Sequence, residues 1–333
     1  MMKSPDPFYT FYKAELLPFL RPIERKRKRK LLSIVLLILL SLIVIIIVSW
    51  FFSSVISTAT KDFEQETRRE FYTRTLSFIF MGSILFSYFI HYFIKKFALL
   101  DYSAQFKYFI LSKLAGHVDN RLTYFQNKGI SEYFLEMSKL FKPQGHSLYS
   151  EDKVQGFIGK TKVEISEFFF KQDEFESETR SENYLFIMAD FNKDFFEHVV
   201  VAPRNILPAL KGHPALSPVL YKFQFDEIKM DSPEFNNKFF VHANDSIVAH
   251  YILTPNLMDR IVKFSQRVKE PVFFSFYASS LYIVIPYQKR LFEPRLLSSM
   301  ISFRTICEYH EILKLSLAIV NDLNLNTRIW TKE

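Results

Sequence analysis

If this 333-residue chain is an enzyme, its site would rest on four polar residues of the C-terminal part: Asp190, Asn192, Lys193 and Asp245. Carboxylates and lysines serve as general acids, general bases or nucleophiles when a fold holds them within hydrogen-bond reach of a substrate. The sequence has no GxSxG elbow, no HExxH pair, and neither a GxGxxG nor a GxxxxGK[ST] loop. A hydrolase or transferase with an unrecognised site is therefore the alternative hypothesis.

Metal-ligating residue types are present, but their spacing favours structural roles. His242 and His250 flank Asp245, on a predicted strand and the segment after it, an arrangement that is more often structural than ligating. The stretch Gln172 to Asn183 has five carboxylates but lacks the central glycine and alternating ligands of a calcium loop. Cys307 is the only cysteine, which excludes an intrachain disulfide and fits a reducing cytoplasm. No metal and no cofactor is predicted.

The elements that would position these residues mix helices with runs of strands. Thr254 is a predicted N-cap, and Pro255 stands at the first helical position after it. Arg328 and Trp330 near the end of the sequence suggest a binding role, but a Trp that anchors the chain end onto the domain is the simpler interpretation. Because strands come in runs and helices in blocks, the fold class is α+β. Further predicted helices are Phe97–Gly116, Ile130–Phe141 and about Pro294–Leu323; predicted strands are Val154–Gly159, Thr161–Lys171, Tyr184–Phe191, Glu197–Pro203 and Phe239–Ala243, with a hairpin in Val272–Pro286 turning near Ala278–Ser280.

The basic residues are concentrated at the N-terminal end. Residues 1 to 96 have 15 Lys and Arg against 7 Asp and Glu, whereas residues 97 to 333 have 28 of each, so the excess of +8 belongs to the first segment alone. A nucleic-acid-binding domain is expected to carry its basic residues on its folded part. No nucleic-acid partner is predicted.

Two apolar segments predict a membrane hairpin. Residues 31–57 have no charged residue and would form roughly 40 Å of helix, more than the hydrocarbon core that must be crossed. This stretch is too long for a signal peptide, so an uncleaved transmembrane helix is favoured. Residues 75–94 form the second predicted transmembrane helix, and residues 58–74 the extracytoplasmic loop. The preceding segment Pro7–Pro22 has two readings, an interfacial helix or packing on the soluble domain, and Pro18 and Pro22 limit either helix.

Charge flanking these helices predicts the orientation, because segments rich in Lys and Arg stay in the cytoplasm. Both termini are therefore expected to be cytoplasmic, with residues 1–30 as a cytoplasmic N-terminal segment and residues 95–333 as a cytoplasmic α+β domain. Attraction to anionic lipid is a compatible second role of the basic block. The residues predicted to determine topology are Arg25, Lys26, Arg27, Lys28, Arg29, Lys30, Lys95 and Lys96.

Four sequence stretches resemble the bacterial family catalogued as domain of unknown function 3137. They are ADFNK (Ala189–Lys193), NDSIVAHYILTPNLMDRI (Asn244–Ile261), LFEP (Leu291–Pro294) and LNLNTRIW (Leu323–Trp330). The resemblance covers roughly residues 7 to 333, and it implies a two-helix protein of the bacterial inner membrane with a large C-terminal domain. Some members are encoded near LemA-like membrane proteins. The resemblance implies no catalytic residues.

These observations favour a membrane-anchored cytoplasmic protein-interaction module over an enzyme. The expected partners are the lipid bilayer and another protein, with a second membrane protein as one candidate. The 38 Phe and 17 Tyr residues supply contact area for such a partner, although most of them are expected in the core.

Overall fold

The computed structural model describes residues 6–59, 65–97, 100–141, 147–171, 183–191, 193–204, 227–268, 270–287, 290–294 and 298–325. The chain forms two compact units. The first comprises Met1–Phe106 and Pro294–Ser302, and the second Lys107–Glu293 and Phe303–Glu333. The predicted class is confirmed: two long apolar helices precede an antiparallel sheet with helices, an α+β arrangement.

The first unit begins with a nearly continuous helix. Asp6 caps it by accepting a hydrogen bond from the Phe8 amide at 3.0 Å, with Pro7 at the first position. The expectation that Pro18 and Pro22 limit this helix is wrong. A π-helical turn over Tyr12–Leu16 precedes Pro18, and this wider turn makes room for the ring where an α-helical carbonyl would meet it. The helices of this unit are α1 (Pro7–Phe11), the π turn, α2 (Leu17–Ala59) and α3 (Gln65–Phe97).

One stripe of the N-terminal helix is packed against protein. The hydroxyl of the buried Tyr12 donates to the Ile301 carbonyl at 2.7 Å, and that carbonyl belongs to the same unit. Of the two readings of Pro7–Pro22, packing is therefore favoured over an interfacial position. The buried side chains of the stripe are Phe8, Tyr12, Leu16, Leu20 and Ile23.

Helices α2 and α3 are long and apolar enough to cross a membrane, within Pro7–Val55 and Thr73–Ile90. Their large side chains face outward: Trp50 is 73% exposed and Phe78 is 70% exposed. The two helices contact each other. Half-buried positions include Ser41 in α2 and Ser83 in α3, and small residues of this kind allow helices to approach closely.

The second unit is built on an eight-stranded antiparallel sheet with the order β1-β2-β3-β4-β8-β7-β5-β6. Helix α4 (Leu100–Val118) precedes the sheet, with its residues from Lys107 onward in this unit. The remaining elements are β1 (Thr123–Phe125), α5 (Glu132–Met137), β2 (Ser147–Ile158), β3 (Thr161–Lys171), β4 (Asn183–Asp190), β5 (Val199–Pro203), α6 (Pro233–Lys238), β6 (Phe239–Ala243), α7 (Ser246–Ile252), α8 (Pro255–Arg267), β7 (Phe273–Tyr277), β8 (Ser280–Tyr287) and α9 (Phe303–Asp322).

Alternating residues send apolar side chains to both faces of the sheet. Segment 130–141, which includes α5, covers one face, where the rings of Phe141 and Phe168 meet edge to face at 5.1 Å. On the opposite face Phe264 of α8 packs against Phe274 of β7, and α9 contacts β3. Both faces of the central strands are thus buried.

The predicted elements agree with the structure in kind and differ at their ends. Thr254 caps α8 by accepting from the Leu257 amide at 3.4 Å, as predicted, and the β7–β8 turn lies at Ala278 and Ser279, both with positive φ. The closing helix begins at Phe303 rather than near Pro294, because the preceding segment makes other contacts: the Met300 amide donates to the Glu24 carboxylate at 3.0 Å. The second predicted helix is shortened to Glu132–Met137.

Candidate functional site

The metal candidates named from the sequence have structural roles. Asp245 is the N-cap of α7, where its carboxylate accepts from the Ile247 amide at 2.7 Å. Nδ1 of His250 lies 2.8 Å from the Ser246 carbonyl one helical turn earlier. His242 lies on β6, where it pairs with Val200. Each residue thus supports the local element rather than converging on a common point.

The structure describes three of the four proposed enzyme residues: one at the end of β4, one in the following loop and one at the N-cap of α7. Asp190 is the last residue of β4 and pairs with Ser280. Nζ of Lys193 donates to the Tyr251 carbonyl at 2.5 Å and lies 4.5 Å from the centre of the Tyr251 ring. Burial lowers the pKa of Lys193. The structure therefore brings Lys193 onto α7, which Asp245 caps. Asn192, Arg328 and Trp330 lie outside the described residues.

An exposed apolar surface lies where this loop meets α7, and we call it the Phe196 surface: Phe196, Ile247 and Tyr251. Their exposed fractions are 81%, 78% and 42%. Ile247 and Tyr251 stand one turn apart on α7, which places them on the same helix face. The amide of Asn244 donates to the Glu197 carboxylate at 3.3 Å, so the loop is tied to α7 at this point as well as through Lys193.

Buried neighbours hold the loop that presents Phe196. Phe191 and Phe195 are buried and meet edge to face at 5.8 Å between ring centres. The Phe191 amide donates to the Ser279 carbonyl at 2.9 Å, and the Ser279 amide donates to the Phe195 carbonyl at 3.3 Å. The Ser279 hydroxyl also donates to Asp194 at 3.2 Å. The β7–β8 turn thus hydrogen-bonds the residues at both ends of the short loop, and Phe196, which follows Phe195, is exposed to solvent.

A buried ionic cluster lies elsewhere in the second unit, and we call it the Lys107 cluster. Nζ of Lys107, whose side chain is 4% exposed, lies 2.9 Å from Glu151, 2.9 Å from Asp152 and 2.8 Å from Glu293. The hydroxyl of Tyr124 donates to Asp152 at 2.5 Å. Burial alone would lower the pKa of Lys107, but the charges of the three carboxylates outweigh it and raise that pKa. Lys107 is therefore held as a cation.

Arg290 and Glu167 complete the cluster. Arg290 pairs with Glu151 and, at 3.0 Å, with Glu293. One carboxylate oxygen of the fully buried Glu167 accepts from the Leu291 amide at 2.9 Å, and the other has no hydrogen-bond partner among the described residues. Burial first, and then the charge of Asp152, raise the pKa of Glu167 to about 7. Near neutral pH this side chain is therefore on the border between its protonated and charged forms.

The chemistry of this cluster is that of a structural ion network. Glu151, Asp152 and Glu167 have oxygens within 4.8 Å of one another, the kind of grouping that can hold a cation. The ammonium of Lys107 already supplies a cation at this position, and its three N–H groups match its three carboxylate neighbours. A lysine held charged in this way is neither a nucleophile nor a base. The described geometry thus explains the cluster without a bound metal.

Sequence reasoning missed the Lys107 cluster, although one local signal pointed to part of it. The pairing of β2 with β3 shifts register between Glu151 and Val154, and Asp152 has φ 57° in this bulge. Asp tolerates the left-handed conformation better than most residues. An Asp in the middle of an alternating strand therefore indicates a β-bulge. The contact of Lys107 with this bulge joins residues far apart in the sequence, and no local pattern predicts it.

The basic block of the first unit is not uniform. Arg27 is buried and binds Glu24 through two contacts, at 2.9 Å from Nε and 2.6 Å from Nη2. Glu24 also accepts from the Met300 amide at 3.0 Å, and although burial would raise its pKa, these bonds lower it. Lys95 and Lys96 lie in the last turn of α3. The other residues of the block are exposed or half-buried: Arg25, Lys26, Lys28, Arg29 and Lys30.

Comparison with known proteins supports the resemblance noted from the sequence. A family model described as "Protein of unknown function (DUF3137)" matches residues 185–325, from β4 to the end of α9, and confirms that resemblance over those residues. No curated protein matches the sequence. The crystal structure of the mycobacterial trehalose monomycolate transport factor A is similar at 12% identity and a TM-score of 0.28, covering 62% of this chain and 95% of that one. No function is transferred from a likeness of that size.

Replacing Lys107 with Met tests the structural role of the cluster. We expect the substitution to destabilise the folded chain by about 3–5 kcal/mol, because it leaves buried carboxylates without their cation. Thermal unfolding of the full chain in mild detergent measures the effect. Lys263→Met removes an exposed lysine from a pair with Asp259 and should cost less than about 0.5 kcal/mol. Equal effects of the two substitutions would contradict the assignment.

The raised pKa of Glu167 predicts a pH dependence of stability. Between the unfolded pKa of 4.5 and the folded value of about 7 the folded state binds a proton that the unfolded state has lost, so stability falls as pH rises through this window. Glu167→Gln removes this titration and keeps an acceptor for the Leu291 amide. Relative to wild type, the variant should gain up to about 3 kcal/mol in free energy of unfolding between about pH 5 and about pH 8. Parallel stability curves for the two proteins would refute the shift.

Proposed function

We propose that the chain is a membrane-anchored cytoplasmic module that binds another protein through the Phe196 surface. This surface carries the proposal: Phe196 and Ile247 are 81% and 78% exposed, and hydrogen bonds from Lys193 to the Tyr251 carbonyl and from Asn244 to Glu197 join the loop to the capped helix. Large apolar side chains grouped on a surface mark interaction sites, whereas scattered ones need no explanation. Aromatic residues are also enriched where interfaces carry most of their binding energy.

The hydrogen bonds of the loop to Ser279 support this proposal. A loop already held by such bonds loses less conformational freedom when a partner binds than a loop without them. Phe191 and Phe195 fill the core, whereas Phe196, the residue after Phe195, faces solvent. Lys193 shields one side of the Tyr251 ring. The surface is thus pre-organised for a partner rather than for closure on itself.

The anchor is proposed to be the α2–α3 hairpin in the bacterial inner membrane, with both termini in the cytoplasm. Its support is the long exposed apolar surface of both helices and the basic residues at the outer ends of the hairpin. Arg27 is removed from this argument, because its charge is buried against Glu24. The exposed members of the block carry the topology signal in this proposal.

The enzyme hypothesis finds less support in the described residues. Of its four candidates, Asp245 caps a helix and Lys193 binds a backbone carbonyl, which leaves neither poised for transfer chemistry. The Lys107 cluster is the strongest group of titratable side chains, but its lysine is fully engaged by carboxylates. An interaction role needs no chemistry from either group.

The topology is tested by replacing Arg27 and the other residues of the basic block in separate variants. Replacing Arg25, Lys26, Lys28, Arg29 and Lys30 with Gln should scramble the orientation, because the flanking charge is lost. Arg27→Gln alone should leave orientation intact and destabilise the chain by about 3–5 kcal/mol through the unpaired Glu24. A reporter active only outside the cell, fused after residue 333 or within residues 60–70, reads the orientation. Activity of the wild-type fusion after residue 333 would contradict the topology.

The interaction role is tested by photo-crosslinking in intact cells. A photoreactive amino acid at position 196 or 247 should form a discrete protein adduct, because both side chains would lie in the interface. Position 157 is the control, since Phe157 is an exposed Phe, at 50%, that lies on β2. The adduct at position 247 should disappear when Phe196 is replaced by Ser. Absence of adducts at 196 and 247, or equal adducts at 157, would count against the proposal.

A further inference from the structure

The Phe196 surface has an acidic rim. Asp194 and Asp245 are exposed and Glu197 is half-buried, and all three belong to the loop or to the cap of α7. None of these carboxylates forms an ion pair with a described residue; they accept hydrogen bonds from the Ser279 hydroxyl, the Ile247 amide and the Asn244 amide. No cation among the described residues therefore pairs with these three carboxylates.

The ammonium of Lys193, on the same loop, does not pair with the carboxylates of this rim. Nζ of Lys193 is directed at the Tyr251 carbonyl and lies over the Tyr251 ring. Burial is the cause that lowers its pKa, which is the direction expected when no carboxylate is close to an ammonium. The surface thus offers an apolar centre with three carboxylates at its edge that no described cation pairs with.

Charge complementarity selects the occupant of such a surface. A partner segment must bring apolar side chains to the centre and cations to the rim. An anionic lipid surface attracts basic segments and would be repelled by these carboxylates, as would a nucleic acid. A basic, apolar polypeptide segment fits both features.

On the cytoplasmic side of a membrane, segments of this chemistry occur next to transmembrane helices, where Lys and Arg accumulate. A module anchored in the same membrane meets them at a raised effective concentration. We infer that the Phe196 surface binds the basic, apolar juxtamembrane segment of a second membrane protein. This inference rests on the proposed function and specifies its partner.

A second copy of this chain fits less well. Its own basic block follows Leu20 and Ile23, which are buried, and includes Arg27, which is paired with Glu24. The apolar side chains that precede the block are therefore already used within the first unit. A different membrane protein, whose basic segment is free, is the occupant to which the inference commits.

The direct test measures peptide binding to the full chain in nanodiscs of zwitterionic lipid. The probe is a labelled amphipathic peptide with Leu on one face and Lys on the other, and its matched control has Glu in place of every Lys. We expect the Lys peptide to bind, with an affinity that falls with salt, and the Glu peptide not to bind. Fluorescence anisotropy gives both dissociation constants.

Variants of the chain assign the binding to the surface. Phe196→Ser with Ile247→Ser should weaken the Lys peptide by at least about tenfold. Asp194→Asn with Glu197→Gln should weaken it by a smaller factor and reduce its salt dependence. Phe157→Ser is the matched control on β2 and should bind as wild type does. Thermal unfolding confirms that each variant is folded.

Each of the following results would overturn the inference. The Lys peptide does not bind, the Glu peptide binds equally well, or the Phe196 and Ile247 substitutions leave its affinity unchanged. The fourth is that the chain without peptide self-associates through these two residues, and the fifth is that a dye at position 247 enters an apolar environment when the nanodisc lipid is made anionic. If position 196 still forms a protein adduct in cells while the peptide fails to bind, the interaction role stands and only the basic partner is wrong.

Discussion

The second unit depends on one buried ammonium. Lys107 reaches from α4 to three carboxylates, two of them on the bulge of β2 and the third at Glu293. Removing these charges from water costs several kcal/mol for each ion, and only the mutual geometry offsets that cost. The arrangement therefore specifies where α4 lies against the bulge, because any shift would leave a carboxylate unpaired. Tyr124, whose pKa is raised first by burial and then by the charge of Asp152, stays a hydrogen-bond donor to that carboxylate.

Other polar side chains of the described residues also have structural roles. Polar side chains that would suit catalysis serve as caps, loop ties and buried ion pairs, whereas the residues left facing solvent at the end of the sheet are large and apolar. In the first unit Arg27 of the basic block is likewise buried in an ion pair with Glu24, and Glu24 in turn accepts a hydrogen bond from the Met300 amide. An interaction function follows more readily from this distribution than a chemical one.

Much of the fold could be predicted because its signals are local. Thr254 followed by Pro255 is a helix start in any context, and the alternation in Thr161–Lys171 predicts a strand from its own residues. The candidate site could not be predicted in the same way. Phe196 is exposed because Phe191 and Phe195 fill the core beside it. The chain has 38 Phe residues, and the sequence alone does not show which of them face solvent. The partners of Lys107 are 44 or more residues away along the chain.

Thiol accessibility in native membranes shows whether a partner covers the Phe196 surface. Cys307 is replaced by Ser, and single cysteines are placed at positions 247 and 157, so that Phe196 is kept in both variants. In inside-out vesicles that retain the cellular partner, we expect maleimide to label position 157 quickly and position 247 at least about tenfold more slowly, with equal rates for both in the purified chain. Equal labelling of the two positions in the vesicles, or labelling of both only in right-side-out vesicles, would contradict a cytoplasmic interaction surface at Phe196.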